Sequence, residues 1–306
     1  MIQSSERCLT SAARSGGYTY SHCNLDEAPR AIIETEIERN VSWARRAGIA
    51  LEPGTLVTGE HSGLANFEAT PRRPENPERG PALCAQGILH IARDASRPYP
   101  VRSGDRDGDQ ARSGVPFPVG PALAIPRHPT ALPFDAATRR QAVDRWRAQR
   151  GGEPPARWEQ VLAAESRRIF ITMISNDPRP HYFHQSNLVT GLDAEASEEA
   201  LLCELIDAVL HHYWDAVGEM TIAQPTLGEI GDLVRDRIAW GAALSAGSIL
   251  AHRDTAGVRI ENRSDAALRV PLTGTVAGAW YGVARSGWVL IEPGETLVAL
   301  ERSLAA

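Results

Sequence analysis

Between Ile169 and Leu188 an apolar run of β-like character passes directly into a polar loop. The loop contains two prolines, two histidines three positions apart, an arginine and several amides, in the order Ser-Asn-Asp-Pro-Arg-Pro-His-Tyr-Phe-His-Gln-Ser-Asn. We predict a buried strand over residues 169–174, because an apolar run bounded by turn-forming residues is typical of one. Loops that follow strands are held by a rigid scaffold and often carry the polar groups of a pocket. The segment therefore predicts part of the active-site rim of an α/β enzyme.

The rest of the chain divides into two patterned regions. Up to about residue 243, short strands alternate with helices, which is typical of an α/β domain. The first helix is expected to begin at Asp26 as its N-cap, and to present Ile33, Ile37, Val41 and Ala44 on one face. The other strands and helices are predicted at 56–58, 88–92, 122–125, 135–149, 155–168, 195–219 and 226–243. After Ser245, five short strands separated by turn residues predict a small antiparallel β-sandwich.

These patterns predict a non-periodic segment at residues 1–17, an α/β domain at 18–243 and a β-sandwich at 244–306. A chain of 306 residues with a net charge of −6 has no basic face, which argues against nucleic acid or an anionic membrane as the main partner. No apolar run is long enough to span a bilayer. The four cysteines show no regular spacing, so neither a disulfide framework nor a cysteine-based zinc site is expected. The N-terminus lacks the pattern of a signal peptide, and the localisation and oligomeric state are left open.

Polar residues follow four of the predicted strands, and parallel strands would bring these ends to one rim. The candidate residues at this rim are His22, His61, Asp94, Arg127, His181 and His184. Neutral imidazole is a good zinc ligand, and a protonated histidine can donate a proton to a leaving amine. Each residue also has a structural alternative, such as a loop hydrogen bond for His61 or a local ion pair between Asp94 and Arg97.

Five segments together resemble the catalytic domain of extracellular polysaccharide deacetylases. They are Ser-His-Cys-Asn-Leu-Asp-Glu, Val-Thr-Gly-Glu-His-Ser-Gly-Leu, Arg-Asp-Ala-Ser-Arg, Ile-Pro-Arg-His-Pro and Ser-Asn-Asp-Pro-Arg-Pro-His-Tyr-Phe-His-Gln-Ser-Asn. The branch that they resemble most includes the fungal galactosaminogalactan deacetylase and its actinobacterial relatives. The resemblance covers residues 18 to about 243. It implies a deformed (β/α) barrel of the NodB type, a divalent metal, expected to be zinc, and N-deacetylation of amino sugars in a polysaccharide.

In the general pattern of this family, an aspartate of the first strand and a His-x-x-x-His pair hold the metal. A second first-strand aspartate acts as the base, and a late histidine protonates the departing amine. Here His22 matches the second histidine of the pair, whereas the first falls on Tyr18, and no aspartate precedes Asp26. We therefore expect an incomplete barrel that lacks its first strand, and impaired activity.

The resemblance assigns the site residues by position, with His184 favoured over His181 as the leaving-group acid. Catalytic roles are expected for His184, His181, Arg127 and Asp94. Substrate contacts are expected from His61, Glu60, Asn187 and Arg179, and metal binding from His22. Two alternatives stay open: a non-catalytic remnant that binds carbohydrate or has no function, and a different hydrolase whose ligands are rebuilt around His61 and Asp94.

Overall fold

The computed structural model describes residues 15–64, 75–95, 116–149, 157–190, 199–218, 220, 222–255, 257–281 and 284–299. It contains two compact units: Met1–Gly218 with Gln224–Ile230, and Glu219–Ala223 with Gly231–Ala306. The domain boundaries at residues 17 and 243 stay predictions. No helix among the described residues is long and apolar enough to cross a membrane.

The first unit is built on an open, mixed five-stranded sheet. Its strands are β1 (Ser15–Tyr18), β2 (Leu51–Val57), β3 (His90–Asp94), β4 (Phe117–Val119) and β5 (Ala122–Arg127). They lie in the order β1-β2-β3-β5-β4, with β1, β2, β3 and β5 parallel and β4 antiparallel to β5. The α/β class is confirmed, and three of the four strands predicted in this region are present. Among the described residues the sheet does not close into a barrel, because β1 and β4 are its two edges.

Five helices accompany this sheet along the chain: α1 (Arg30–Arg46), α2 (Arg79–Ala85), α3 (Arg139–Gln149), α4 (Trp158–Ile174) and α5 (Leu201–Val217). Helix α1 buries Ile33, Ile37 and Ala44, as predicted from their spacing, whereas Val41, predicted on the same face, is 39% exposed. The predicted N-cap was wrong, because Pro29 occupies that position. Asp26 instead accepts a hydrogen bond from the backbone N–H of Gly63 at 2.8 Å.

The predicted strand over residues 169–174 was wrong, because these residues form the last turns of α4. Val161, Glu165 and Ile169 are buried four residues apart, whereas Ile171 is 51% exposed. That burial follows the helical period, and the buried apolar residues pack with Leu201 and Leu205 of α5. A short apolar run cannot be told from a buried helix by its composition, and here the flanking helical pattern continues through it.

The second unit contains most of the sixth helix, α6 (Leu227–Ser245), and two three-stranded antiparallel sheets. The strands are β6 (Ile249–Arg253), β7 (Gly257–Asn262), β8 (Leu268–Thr273), β9 (Ala279–Tyr281), β10 (Ala284–Ile291) and β11 (Gly294–Ala299). One sheet has the order β8-β10-β9 and the other β11-β7-β6. Both contribute to one buried cluster that includes Ile260, Val270 and Ile291. All five predicted strands are present, and their arrangement as a sandwich stays a prediction.

Candidate functional site

The carboxyl edge of the parallel strands carries most of the predicted site residues. Tyr18 ends β1, Asp94 ends β3 and Arg127 ends β5, while the turn Gly59–His61 follows β2. Asp94 and Arg127 lie directly opposite each other in the register of β3 and β5. Because the carboxyl ends of parallel strands meet at one edge, the rim predicted for these residues is present, although the loop 176–188 reaches it from a helix.

Two neighbouring loops on this edge are locked together in strained backbone conformations. His22, Glu60 and His61 have φ values of 57°, 54° and 56°, a region that non-glycine residues rarely occupy. The hydroxyl of Ser62 accepts from the N–H of Leu25 at 3.0 Å and donates to the carbonyl of Gly59 at 2.7 Å. These bonds fix the His22 loop against the turn that carries His61.

Gly59 allows the imidazole of His22 to lie directly on the backbone of this turn. A Cβ atom at position 59 would stand 2.7 Å from Nδ1 of His22, which no side chain could tolerate without movement of the ring. His22 is otherwise exposed. Its imidazole therefore rests on the rim, with its position set by the absence of a side chain at Gly59.

Arg127 lies at the centre of a group of aromatic side chains. Its guanidinium lies beside Tyr18 and stands 4.9 Å above the ring of Tyr182. Burial lowers the pKa of Arg127, and the neighbouring tyrosines oppose that shift. The ring of Tyr182 also meets His61 and His184 edge-on, at centroid distances of 5.5 Å and 5.8 Å. Tyr182, which the sequence analysis did not select, thus connects three predicted site residues.

A second polar group surrounds Asp177, immediately after α4. Its carboxylate accepts hydrogen bonds from Nε2 of His128 at 2.9 Å and from Nη2 of Arg179 at 2.6 Å, and the backbone N–H of Arg179 donates to it at 3.0 Å. Although burial raises the pKa of Asp177, these bonds hold it well below its usual range. Arg179 is therefore engaged with Asp177, and its predicted substrate contact stays a prediction.

His181 lies against His128, with ring centroids 5.1 Å apart. The backbone N–H of His128 donates to Pro180 and that of Tyr182 donates to His128, which joins the 176–188 loop to the end of β5. Burial, together with the nearby His128 and Arg168, lowers the pKa of His181 to about 4. The imidazole of His181 is consequently neutral at pH 7.

Helix α4 holds the segment after β5 through a buried acid. Glu165 is 3% exposed, accepts from the backbone N–H of Ala131 at 2.7 Å and pairs with Arg168 at 2.6 Å. Arg168 in turn donates to the carbonyl of Pro129 at 2.6 Å. These bonds fix the residues on both sides of Pro129, including His128.

The end of the loop is anchored by Asn187, which is completely buried. Its amide donates to the carbonyls of Pro133 and Ala136 at 3.0 Å and 2.9 Å, and its side-chain oxygen accepts from the N–H of His184 at 3.1 Å. This carboxamide is thus fully engaged in holding the loop. His184 itself is exposed, and burial and the charge of Arg127 both lower its pKa.

The remaining predicted residues lie at the same edge. Asp94 is 8% exposed, and Glu60 accepts a bond from the side chain of Asn24 at 3.4 Å. Among the residues that received no role from the sequence, His128 lies inside the segment Ile-Pro-Arg-His-Pro and Asp177 inside the segment that begins Ser-Asn-Asp-Pro. Tyr182 lay inside the quoted motif, between the two chosen histidines.

The predicted metal site does not have a ligand set in the part of the chain that the structure describes. No three histidine, cysteine, aspartate or glutamate side chains converge there in a way that would hold a metal ion. Protein zinc sites use at least three protein ligands. His22 and its described neighbours therefore do not by themselves fit zinc.

Comparison with known proteins defines the class to which this arrangement belongs. The fold is similar to that in the crystal structure of Agd3, described as a novel carbohydrate deacetylase, with a TM-score of 0.68 and 16% sequence identity. The aligned region covers 93% of this chain and 44% of that chain. A family model for the Agd3 deacetylase domain matches residues 14–198, which is more than half of the sequence, so the chain belongs to this deacetylase domain family. A search of curated proteins found no match.

Proposed function

We propose that this domain hydrolyses the acetamide bond of N-acetylhexosamine units in a polysaccharide. The observation that carries the proposal is the convergence of His61, Arg127, Tyr182 and His184 at the carboxyl edge of the sheet. Membership of the Agd3 deacetylase domain family supports it. In this reaction water adds to the acetyl carbon, the carbon–nitrogen bond breaks, the nitrogen gains a proton, and acetate and an amino sugar leave.

The two loop histidines are the candidates for proton transfer. The pKa of each is lowered, by burial in the first place, so neutral imidazole predominates at pH 7. A neutral histidine can take a proton from the attacking water and pass it to the departing nitrogen. His184 is the exposed member of the pair. We therefore assign the transfer to His184, with Arg127 and Tyr182 forming the surface beside it.

Participation of a divalent metal, zinc in the first place, is a further part of the proposal. His22 would be one ligand, and the other ligands would have to come from outside the described residues. Zinc supplies Lewis-acid polarisation and an activated water when it is bound in such an enzyme. We also propose that the lack of the family's first-strand aspartates lowers the activity, and that the second unit is a β-sandwich.

One observation favours a second candidate function, that of a carbohydrate-binding protein without catalysis. Among the described residues no three potential ligands converge, whereas the aromatic and cationic groups of the rim are in place. Aromatic rings and polar side chains suffice to bind a sugar without hydrolysing it. A third candidate, a hydrolase with ligands around His61 and Asp94, would keep its metal when His22 is replaced.

The experiment that separates these functions measures polymer binding and acetate release on the same preparations. We expect the wild-type chain to release acetate from an N-acetylhexosamine polymer, and His184→Gln to retain binding but lose at least about tenfold in rate. His252→Gln is the matched control, because His252 is an exposed histidine of the second unit. Binding without acetate release in the wild type would favour the carbohydrate-binding alternative. A wild-type chain that neither binds the polymer nor releases acetate would contradict both functions.

A further inference from the structure

Arg127 differs from three other arginines of the first unit in its partner. Arg139, Arg168 and Arg179 each hold a carboxylate, at 2.8 Å, 2.6 Å and 2.6 Å respectively. Within the described part of the chain, Arg127 forms no ion pair, and its Nε is buried without an acceptor. The hydroxyl of Tyr18 and the ring of Tyr182 are its neighbours, and both are uncharged partners.

A buried cation without an anion is energetically costly. Charges that are removed from water are normally paired, because desolvation of an ion is repaid only by a close opposite charge or by hydrogen bonds. The lowered pKa of Arg127 reflects the same cost, since burial disfavours the charged guanidinium. Asp94 faces Arg127 from the neighbouring strand, but its attraction is the weakest of the influences on this pKa.

The side chain of Arg127 lies next to exposed residues of the rim. Arg127 is only partly buried as a residue, Tyr18 beside it is 44% exposed, and His184 is exposed. The charge of Arg127 reaches His184, whose pKa it lowers. Arg79 offers a contrast: its guanidinium also has no acceptor among the described residues, but the side chain is completely buried. Unlike Arg79, Arg127 thus keeps part of its surface exposed at the rim.

We propose that Arg127 and the hydroxyl of Tyr18 form a binding site for a carboxylate. A planar guanidinium donates two parallel N–H···O bonds to the two oxygens of a carboxylate, and this geometry is specific to arginine. Two sources have this chemistry: free acetate, which is the product of the proposed hydrolysis, and the uronate groups of an acidic polysaccharide. The choice of acetate rests on the proposed function, whereas the site itself rests on the contacts of Arg127.

The test is a calorimetric titration of the full-length chain with sodium acetate, with glucuronate, and with acetamide as the uncharged analogue. We expect acetate to bind and acetamide to bind at least about tenfold more weakly, because only the carboxylate completes the ion pair. Stronger binding of glucuronate than of acetate would identify the polysaccharide as the source. The reverse order would identify the reaction product.

Three variants connect this binding to Arg127. Arg127→Lys should weaken acetate binding by about tenfold, because lysine keeps the charge but loses the paired donors. Tyr18→Phe removes a single hydroxyl, preserves the ring and should weaken binding by about threefold. Arg253→Gln, at an exposed position of the second unit, should leave binding unchanged. Circular dichroism would establish that each variant is folded.

Two results would overturn the inference: no carboxylate binding by the wild-type chain, or equal binding by the wild type, Arg127→Lys and Tyr18→Phe. Its failure can be distinguished from that of the proposed function. A chain that binds acetate through Arg127 but releases none from a polymer retains the site and loses the activity. A chain that deacetylates the polymer but binds no carboxylate retains the activity and lacks the carboxylate site.

Discussion

Replacement of Asp177 by asparagine should destabilise the first unit markedly. The carboxylate accepts bonds from His128, from the side chain of Arg179 and from its backbone N–H. Removing one member of a buried charged pair costs about 3–5 kcal/mol. Because asparagine keeps one oxygen that can accept a bond, we expect Asp177→Asn to lower the free energy of unfolding by about 2 kcal/mol and Asp177→Ala by about 3 kcal/mol.

The stability lost on replacement of Asp177 by asparagine should depend on pH in a defined direction. The pKa of Asp177 is held below its usual range in the folded state. Such a carboxyl contributes stability that is fully present above the unfolded pKa of about 3.9, and this stability is lost as the pH falls toward the folded pKa. The difference between wild type and Asp177→Asn should therefore be largest at pH 7 and smaller by about 1 kcal/mol at pH 3.

Urea unfolding followed by circular dichroism at several pH values measures this difference. Asp215→Asn is the matched control, because Asp215 is an exposed carboxylate on α5 of the same unit. The control should change the free energy of unfolding by less than about 0.5 kcal/mol. An Asp177→Asn variant as stable as the control at neutral pH would contradict a stabilising role of the Asp177 carboxylate. A difference in stability between wild type and Asp177→Asn that grows on acidification would also contradict it.

Three further outcomes follow from single contacts. Ile169→Ala should lower the free energy of unfolding in urea by about 2–4 kcal/mol and Ile171→Ala by less than about 1 kcal/mol, since the helix buries only Ile169. Equal losses would contradict the helical assignment. An NMR titration of His181 should show a pKa of about 4. Because the folded chain favours the neutral imidazole, the free energy of unfolding should decline from about pH 6.5 downward. A midpoint near 6.5 would contradict the buried environment of His181. Gly59→Ala should displace the ring of His22, seen as a shifted imidazole resonance, because of the 2.7 Å approach; an unchanged resonance would contradict the contact.

Local pattern was sufficient to predict most of the secondary structure. Ile33, Ile37 and Ala44 follow the helical period and are buried in α1, and the strand that ends at Arg127 was recognised from its apolar run. The run at 169–174 failed because β-branched residues also occur in helices, and only packing against α5 decides between the two. Closure of the sheet also depends on long-range pairing, which no local pattern contains.

The sequence alone predicted which loops lie at the site, but not which side chains contact each other there. The rim at the ends of β3 and β5 follows from the rule for parallel strands, so Asp94 and Arg127 were found. The partnership of Asp177 with His128 joins residues far apart in sequence, and the spacing of neither residue indicates it. Tyr18 was considered only as the residue at the family's first histidine position, although it lies beside Arg127.

The metal content of the purified chain bears on the cofactor directly. With added zinc, we expect less than one equivalent to bind, and His22→Ala to abolish what does bind, because His22 is the only ligand that the resemblance assigns. Stoichiometric zinc in the His22→Ala variant would contradict that role and favour a ligand set around His61 and Asp94.

The proposed removal of acetyl groups from an amino-sugar polymer is tested most directly by analysis of the product. Defined N-acetylhexosamine oligomers would be incubated with the wild-type chain, with His184→Gln and with His252→Gln, and then analysed by mass spectrometry. We expect the wild type and the His252→Gln variant to remove one acetyl group per cleavage and to leave the sugar backbone intact. The His184→Gln variant should remove far fewer acetyl groups. Oligomers that stay fully acetylated, or that are shortened instead, would contradict it.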